Sequence, residues 1–60
     1  MMVVKAEIMY LTVPRDWNWA VTVIHKDVSY MDGCEPTYEE ALDHMKDVIK
    51  HMIDRVEADG

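Results

Sequence analysis

The sequence is poor in the features that usually hold a very small domain together. Its 60 residues include one cysteine, Cys34, two glycines, two prolines and no phenylalanine. A single cysteine excludes an internal disulfide. A chain of this length also buries so little surface that hydrophobic burial and chain entropy nearly cancel. Since no disulfide supplements the core, we predict that the protein forms a homodimer.

Positive charge is also scarce. Six Lys and Arg residues stand against twelve Asp and Glu residues, which gives a formal net charge of −6. Proteins that bind the phosphate backbone of nucleic acids usually carry a basic stripe that displaces counterions, and this chain has none. We therefore expect no direct nucleic-acid binding, and the charge favours a protein partner with a basic surface.

Long apolar runs are missing as well. No run approaches the length that crosses a bilayer, and the N-terminal segment becomes charged at Lys5, before a signal-peptide core is complete. Half of the residues are nevertheless apolar, which favours a folded domain over disorder. These features predict a cytoplasmic protein without membrane contact, in which the thiol of Cys34 stays reduced.

The strongest pattern that is present predicts an amphipathic helix over about residues 38–57. Thr37 is a suitable N-cap, and a glutamate three residues later completes a capping box. The apolar residues of the segment fall inside an arc of about 140° on a helical wheel. We expect Met45, Ile49 and Met52 to form the buried spine of this stripe. The other stripe residues are Tyr38, Ala41, Leu42, Val48, Ile53 and Val56.

Three segments before the helix show the alternation of β-strands, at about residues 3–13, 17–25 and 28–31. Turn residues after Val13, the pair Lys26-Asp27 and the pair Asp32-Gly33 delimit them. The order β-β-β-α predicts a single α+β domain over residues 1–60. Its simplest architecture is an antiparallel three-stranded meander with the C-terminal helix packed on one face.

This sheet has more apolar surface than one helix can cover. In the second strand Trp17 and Trp19 share one face. In the second half of the first strand, Met9, Leu11 and Val13 make a further apolar side. Either a second copy covers the bare face or the first strand contains a bulge. Whichever face meets the helix, the other keeps an apolar patch of the kind that marks an interface.

The passage from the second strand into the helix resembles known proteins. Gly33-Cys34 followed by a Thr-x-Glu-Glu-Ala-Leu helix start at Thr37 is similar to the N-terminal part of HicB-type antitoxins. The pattern Trp-x-Trp-x-Val beginning at Trp17, followed by the same helix start, resembles very small accessory proteins of tailed phages. These resemblances cover about residues 17–50, and they imply a small regulator that binds another protein.

The candidate partner-binding residues are two tryptophans and a group of acids. Tryptophan is the residue type that most often dominates binding energy, although core packing accounts for a tryptophan pair equally well. Between Asp27 and Asp43 the chain has six acidic residues and no Lys or Arg. This surplus favours either a binding surface, including imitation of DNA, or a solvated face with compensating Lys pairs along the helix. The candidates are Trp17, Trp19, Asp32, Glu35, Glu39, Glu40, Asp43 and Asp47.

Catalytic and metal-binding arrangements receive little support. His44 and His51 share one side of the helix, but at about 1.5 Å per residue they stand roughly 10 Å apart along its axis, too far for one ion. Cys34 with His25 as its base would be a nucleophile without an oxyanion hole or a third group. We predict no metal, no cofactor and no catalytic residue.

The combined prediction is a non-enzymatic, acidic protein-binding module. The preferred role is a phage- or prophage-type regulator that binds and inhibits a host or defence protein. The alternative is a HicB-like antitoxin module that neutralises a cognate toxin, and an enzyme is a third, less favoured class.

Overall fold

The computed structural model describes residues 1–59, which form three strands followed by one helix. The strands are β1 (Val3–Thr12), β2 (Arg15–His25) and β3 (Asp27–Glu35), and the helix is α1 (Tyr38–Asp59). Both strand pairs are antiparallel and the order in the sheet is β1-β2-β3. The predicted α+β meander with a C-terminal helix is therefore confirmed.

The turns between the strands are tighter than the sequence suggested. Thr12 pairs with Arg15, so Val13 and Pro14 alone connect β1 to β2. His25 pairs directly with Asp27, and the single residue between them, Lys26, has a φ of 65°. The predicted two-residue turn at Lys26-Asp27 is thus wrong in length, because Asp27 already belongs to β3.

The third strand is longer than predicted. It continues through Asp32 and Gly33 to Glu35, where the sequence suggested a strand end and a loop. Gly33 pairs with Trp19, and a Cβ atom at position 33 would lie 2.7 Å from the indole Cζ2 atom of Trp19. The glycine therefore makes room for the indole inside a continuing strand, which a sequence pattern does not distinguish from a turn.

The tryptophan face of the sheet meets the helix. Trp19, Val21 and Val23 of β2 are at most 2% exposed and form the core with Ala41, Val48 and Met52 of α1. The register of β1 against β2 is continuous from the first pair to the last, so the strand contains no bulge. The sequence left open which face of the sheet the helix covers. In the structure the helix covers the tryptophan face, and the opposite face is bare.

The helix begins as predicted, but the buried part of its stripe is different. The side-chain oxygen of Thr37 accepts a hydrogen bond from the Glu40 N–H at 3.2 Å, which confirms the N-cap. Met52 is buried, whereas Met45 and Ile49 are only partly buried and lie beside the core. The reason is the placement of α1 over β2 and β3, with little contact to β1. This position turns Ala41 and Val48 inward.

No helix within residues 1–59 is both long and apolar enough to cross a bilayer.

Candidate partner-binding surface

Three aromatic rings form a row at the end of the sheet where the helix begins. Tyr10 of β1 pairs with Trp17 of β2, and the two ring centroids are 4.9 Å apart. Tyr38, the first helical residue, contacts Trp17 edge-on with a centroid distance of 5.1 Å. Tyr10 is 46% and Tyr38 48% exposed, and Trp17 is partly buried between them. We call these three residues the aromatic row.

Glu35 lies next to the aromatic row, opposite Trp17 in the β2–β3 pairing. Its carboxylate accepts a hydrogen bond from the Trp19 indole N–H at 3.3 Å and lies 2.8 Å from Nδ1 of His44. The hydrogen bond with His44, and then the one with Trp19, lowers the pKa of the Glu35 carboxyl below its usual value. Glu35 is the last residue of β3, and its contacts connect the end of this strand to the core and to the helix.

The two candidate tryptophans have different surroundings. Trp19 is 1% exposed, its indole packs over Gly33, and its ring centroid lies 5.0 Å from that of His44. Trp19 was a candidate for either core packing or partner binding. The structure shows core packing, so Trp19 is no longer a candidate contact residue. Trp17 is only partly buried and remains a candidate.

Acidic side chains follow Tyr38, the helical member of the aromatic row, along the exposed side of the helix. Glu39 and Glu40 follow Tyr38 directly, and Asp43 and Asp47 continue along the helix; all four are exposed. We call Glu39, Glu40 and Asp43 the acidic rim. They also lie in and next to the first helical turn, where the helix dipole favours negative charge.

The compensating lysine pairs expected of a simple solvated face do not form. Among the described side chains of residues 1–58, no Lys or Arg comes within ion-pair distance of an Asp or Glu, and both ion-pair contacts involve histidine. They are His44 with Glu35 at 2.8 Å and His51 with Asp47 at 3.7 Å. The acidic rim is therefore free of internal cations, which leaves it able to meet an external basic group.

Two acids of the predicted surplus lie elsewhere. Asp32 is on the opposite face of the sheet, where its carboxylate accepts a hydrogen bond from the Tyr30 hydroxyl at 3.3 Å. Partial desolvation, and then the neighbouring Asp32, raises the pKa of the Tyr30 phenol. Asp27 begins β3 and lies at the far end of the sheet from the helix start. The structure therefore does not bring Asp27 and Asp32 to the acidic rim.

The face of the sheet away from the helix is a second exposed surface. It carries apolar side chains mixed with single charges, because every second residue of each strand points to this side. The largest exposed apolar residues on it are Val3, Met9, Ile24, Val28 and Tyr30. They are spread over the three strands and interrupted by Lys5, Glu7 and Asp32.

The chemical arrangements considered from the sequence are not assembled. Cys34 pairs with Asn18 near one end of the sheet and His25 ends β2 at the other. At about 3.4 Å per residue these positions are roughly 24 Å apart. In the described part of the chain, no group of three or more His, Cys, Asp or Glu side chains is arranged to hold a metal ion.

Comparison with known proteins gives no match, since no family model, no curated protein and no solved structure is significantly similar to this chain. The resemblances to HicB-type antitoxins and to tailed-phage proteins stay predictions.

Sequence analysis did not identify Tyr10 and Tyr38 as surface residues. Tyr38 was counted in the apolar stripe of the helix, and Tyr10 falls on the same face of β1 as Ile8. The signal that identifies them is the hairpin itself: a two-residue connection at Val13-Pro14 pairs Tyr10 with Trp17. With that register known, the first turn of a helix covering β2 carries Tyr38 to the same end.

Proposed function

We propose that this protein is a non-enzymatic binding module that contacts a basic protein surface through the aromatic row and the acidic rim. The observation that carries the proposal is the row itself, with Tyr10 and Tyr38 nearly half exposed and their rings in tilted and edge-on contact with Trp17. Core aromatic residues are normally enclosed. Here three rings converge at one end of the molecule and remain open to solvent.

The surroundings of the row favour an interface. Tyr and Trp bury large areas with few rotatable bonds, and they are the residues that most often dominate binding energy. Charges at the edge of such a surface act mainly on the association rate and on the choice of partner. Glu39, Glu40 and Asp43 have no Lys or Arg partner within the described chain, so their carboxylates are available to pair with basic groups on another protein.

The biological role that we propose is that of a phage- or prophage-type regulator that binds and inhibits a host or defence protein. The supporting features are the small size, the net charge of −6 and the pattern of Trp17, Trp19 and the helix start. Occupying a basic surface with an acidic domain is a direct way to block it. If the captured partner is instead a toxin encoded beside this chain, the role is that of an antitoxin.

The experiment is affinity capture followed by kinetics with the captured protein. Three variants are compared with the parent for binding, after circular dichroism has shown that each is folded. In the first variant Glu39, Glu40 and Asp43 become neutral amides. In the second, Trp17 and Tyr38 become alanine. We expect the amide variant to associate more slowly, with a weaker salt dependence, and the alanine variant to dissociate faster.

The third variant is the matched control. It also removes three negative charges, but at the other end of the molecule, by changing Asp27 and Asp54 to Asn and Glu57 to Gln. This variant has the net charge of the first but an intact acidic rim, so we expect it to associate at nearly the parent rate. If both charge variants associate equally slowly, the effect comes from overall charge and the proposed surface is wrong.

A further inference from the structure

The first strand has an open edge. β1 is ten residues long, only Ile8 and Leu11 in it are partly buried, and its one neighbour in the sheet is β2. The helix lies over β2 and β3 and gives β1 little cover. Alternate residues of β1 therefore direct their N–H and C=O groups to solvent, which is an arrangement that natural proteins usually block.

The opposite edge of the sheet is blocked by charge. β3 carries Asp27, Asp32 and Glu35 and no basic residue, so two copies of this edge would bring like charges together. The edge formed by β1 differs, because it carries one residue of each sign, Lys5 and Glu7. The two edges are thus unequal in their capacity to pair with themselves.

We propose that β1 pairs with β1 of a second copy, antiparallel and about a twofold axis at Ala6, so that two sheets join into one of six strands. This interface is separate from the aromatic row and acidic rim. The occupant is a second copy of the chain because the charges of β1 complement β1 itself.

The register follows from the sequence of the strand. With Ala6 opposite Ala6 of the second copy, Lys5 of each copy faces Glu7 of the other, which makes two opposite-charge pairs. In the same register Val4 faces Ile8, so the positions on the helix side are apolar on both copies.

Neighbouring registers are disfavoured by the same two charges. Hydrogen-bonding groups alternate along a strand, so an antiparallel register can shift only in steps of two residues. One such step places Lys5 opposite Lys5, and the step in the other direction places Glu7 opposite Glu7. Directly opposed like charges destabilise a strand pair, so Lys5 and Glu7 select the register centred on Ala6.

The apolar side chains above β1 face the second copy in this arrangement. His44 contacts Glu35, so its flank of the helix faces β3, and the opposite flank faces β1. That flank carries Leu42, Ile49 and Ile53, which are half-buried. In the dimer the twofold axis places both helices on one face of the sheet, with the two β2 strands roughly 14 Å apart, so these flanks face each other across Val4 and Ile8 of the two β1 strands.

Charge reversal tests the pairing. We expect sedimentation velocity at micromolar concentration to show a dimer for the parent. Lys5→Glu and Glu7→Lys should each weaken the dimer at least about tenfold, because both charge pairs become like-charge pairs. An equimolar mixture of these two variants should form a heterodimer, and the chain carrying both changes should again form a homodimer.

The matched controls are Lys46→Glu and Glu57→Lys, which make the same charge changes on the exposed side of the helix. They should dimerise like the parent. A monomeric parent would overturn the proposal. It would also be overturned if the β1 reversals acted no differently from their helix controls, or if the mixture formed no heterodimer.

Cysteine cross-linking tests the register. Directly opposed residues of antiparallel strands have Cα atoms about 4.5–5.5 Å apart, within the range of a disulfide. In a Cys34→Ser background, Ala6→Cys should therefore cross-link two copies on mild oxidation. Val4→Cys should not, since its two copies would stand about 13 Å apart along the strands. Equal cross-linking of the two variants would overturn the register centred on Ala6.

Discussion

At the scale of single residues, the contact between Gly33 and Trp19 decides how the core closes. The indole occupies the space where a side chain at position 33 would lie, and its N–H reaches the Glu35 carboxylate at 3.3 Å. Tryptophan is rarely buried completely because it is large, and a buried indole N–H needs a hydrogen-bond partner. Here the glycine supplies the room and the glutamate supplies the acceptor.

Gly33→Ala is expected to destabilise the fold. The added Cβ would lie 2.7 Å from the ring, so the indole or the strand must move, and overpacking of this kind costs about 1–3 kcal/mol. The measurement is urea denaturation followed by tryptophan fluorescence. Cys34→Ala is the control, because residue 34 is the next in the strand, points to the opposite face and is exposed. Equal stability of the two variants would contradict the packing described here.

The lowered pKa of Glu35 predicts a loss of stability in acid. Because the pKa is lower in the folded state than the ordinary value of 4.5, the unfolded chain binds the proton more readily. The contribution of the carboxylate is therefore fully present above that ordinary value and is lost as the pH falls through the lower, folded pKa. We expect the parent to lose stability more steeply below pH 4.5 than Glu35→Gln, in denaturation curves measured across pH.

The control for this experiment is Glu57→Gln, at an exposed position near the other end of the helix. Its acid profile should follow that of the parent. If Glu35→Gln also follows the parent, the contacts of Glu35 with Trp19 and His44 do not contribute to folding.

At the scale of elements, the position of the helix over β2 and β3 decides which part of its apolar stripe is buried. Val48 and Met52 are each 8% exposed, whereas Ile49 is only partly buried and lies beside the core. The wheel of the isolated helix does not contain this information, since all of these residues lie within the same arc. The rotation of the helix about its own axis is set by the sheet, because the helix packs against the fully buried side chains of Trp19 and Val21.

Truncation of the helix stripe should show this rotation. Met52→Ala removes a buried side chain and is expected to cost about 2–5 kcal/mol, an amount large enough to unfold a domain of this size. Ile49→Ala removes a similar volume from a half-buried position and should cost clearly less. Thermal unfolding of both variants at one protein concentration makes the comparison. A larger loss for Ile49→Ala would mean that the helix is rotated toward β1.

At the scale of the whole molecule, the three-stranded sheet is narrow relative to its length. The overall extents are 40 × 16 × 12 Å, so the two long edges of the sheet make up much of the surface. One edge is acidic and repels its own copy, and the other carries Lys5 and Glu7 in a self-complementary order. The aromatic row lies at one short end, so a dimer through β1 would present two such ends on opposite sides of its axis.

The sequence by itself determined the number, order and type of the elements and the start of the helix. These features depend on local signals: alternation along strands, periodicity in α1, and the Thr37 cap whose hydroxyl bonds a backbone N–H three residues away. The position of the turn after β2 was predicted correctly, but its length was not. A single left-handed residue such as Lys26 is favoured only once the two strands are paired.

Tertiary structure alone decided which side of each element is buried and which residues meet. Trp17 and Trp19 alternate identically in the sequence, yet one lies in the core and the other lies in an exposed aromatic row, because the helix covers one and only reaches the other with Tyr38. Asp32 and Glu35 are close in sequence but face opposite sides of the sheet. Periodicity fixes the faces of an element only relative to each other, whereas the face that leaves water is chosen by packing against the rest of the chain.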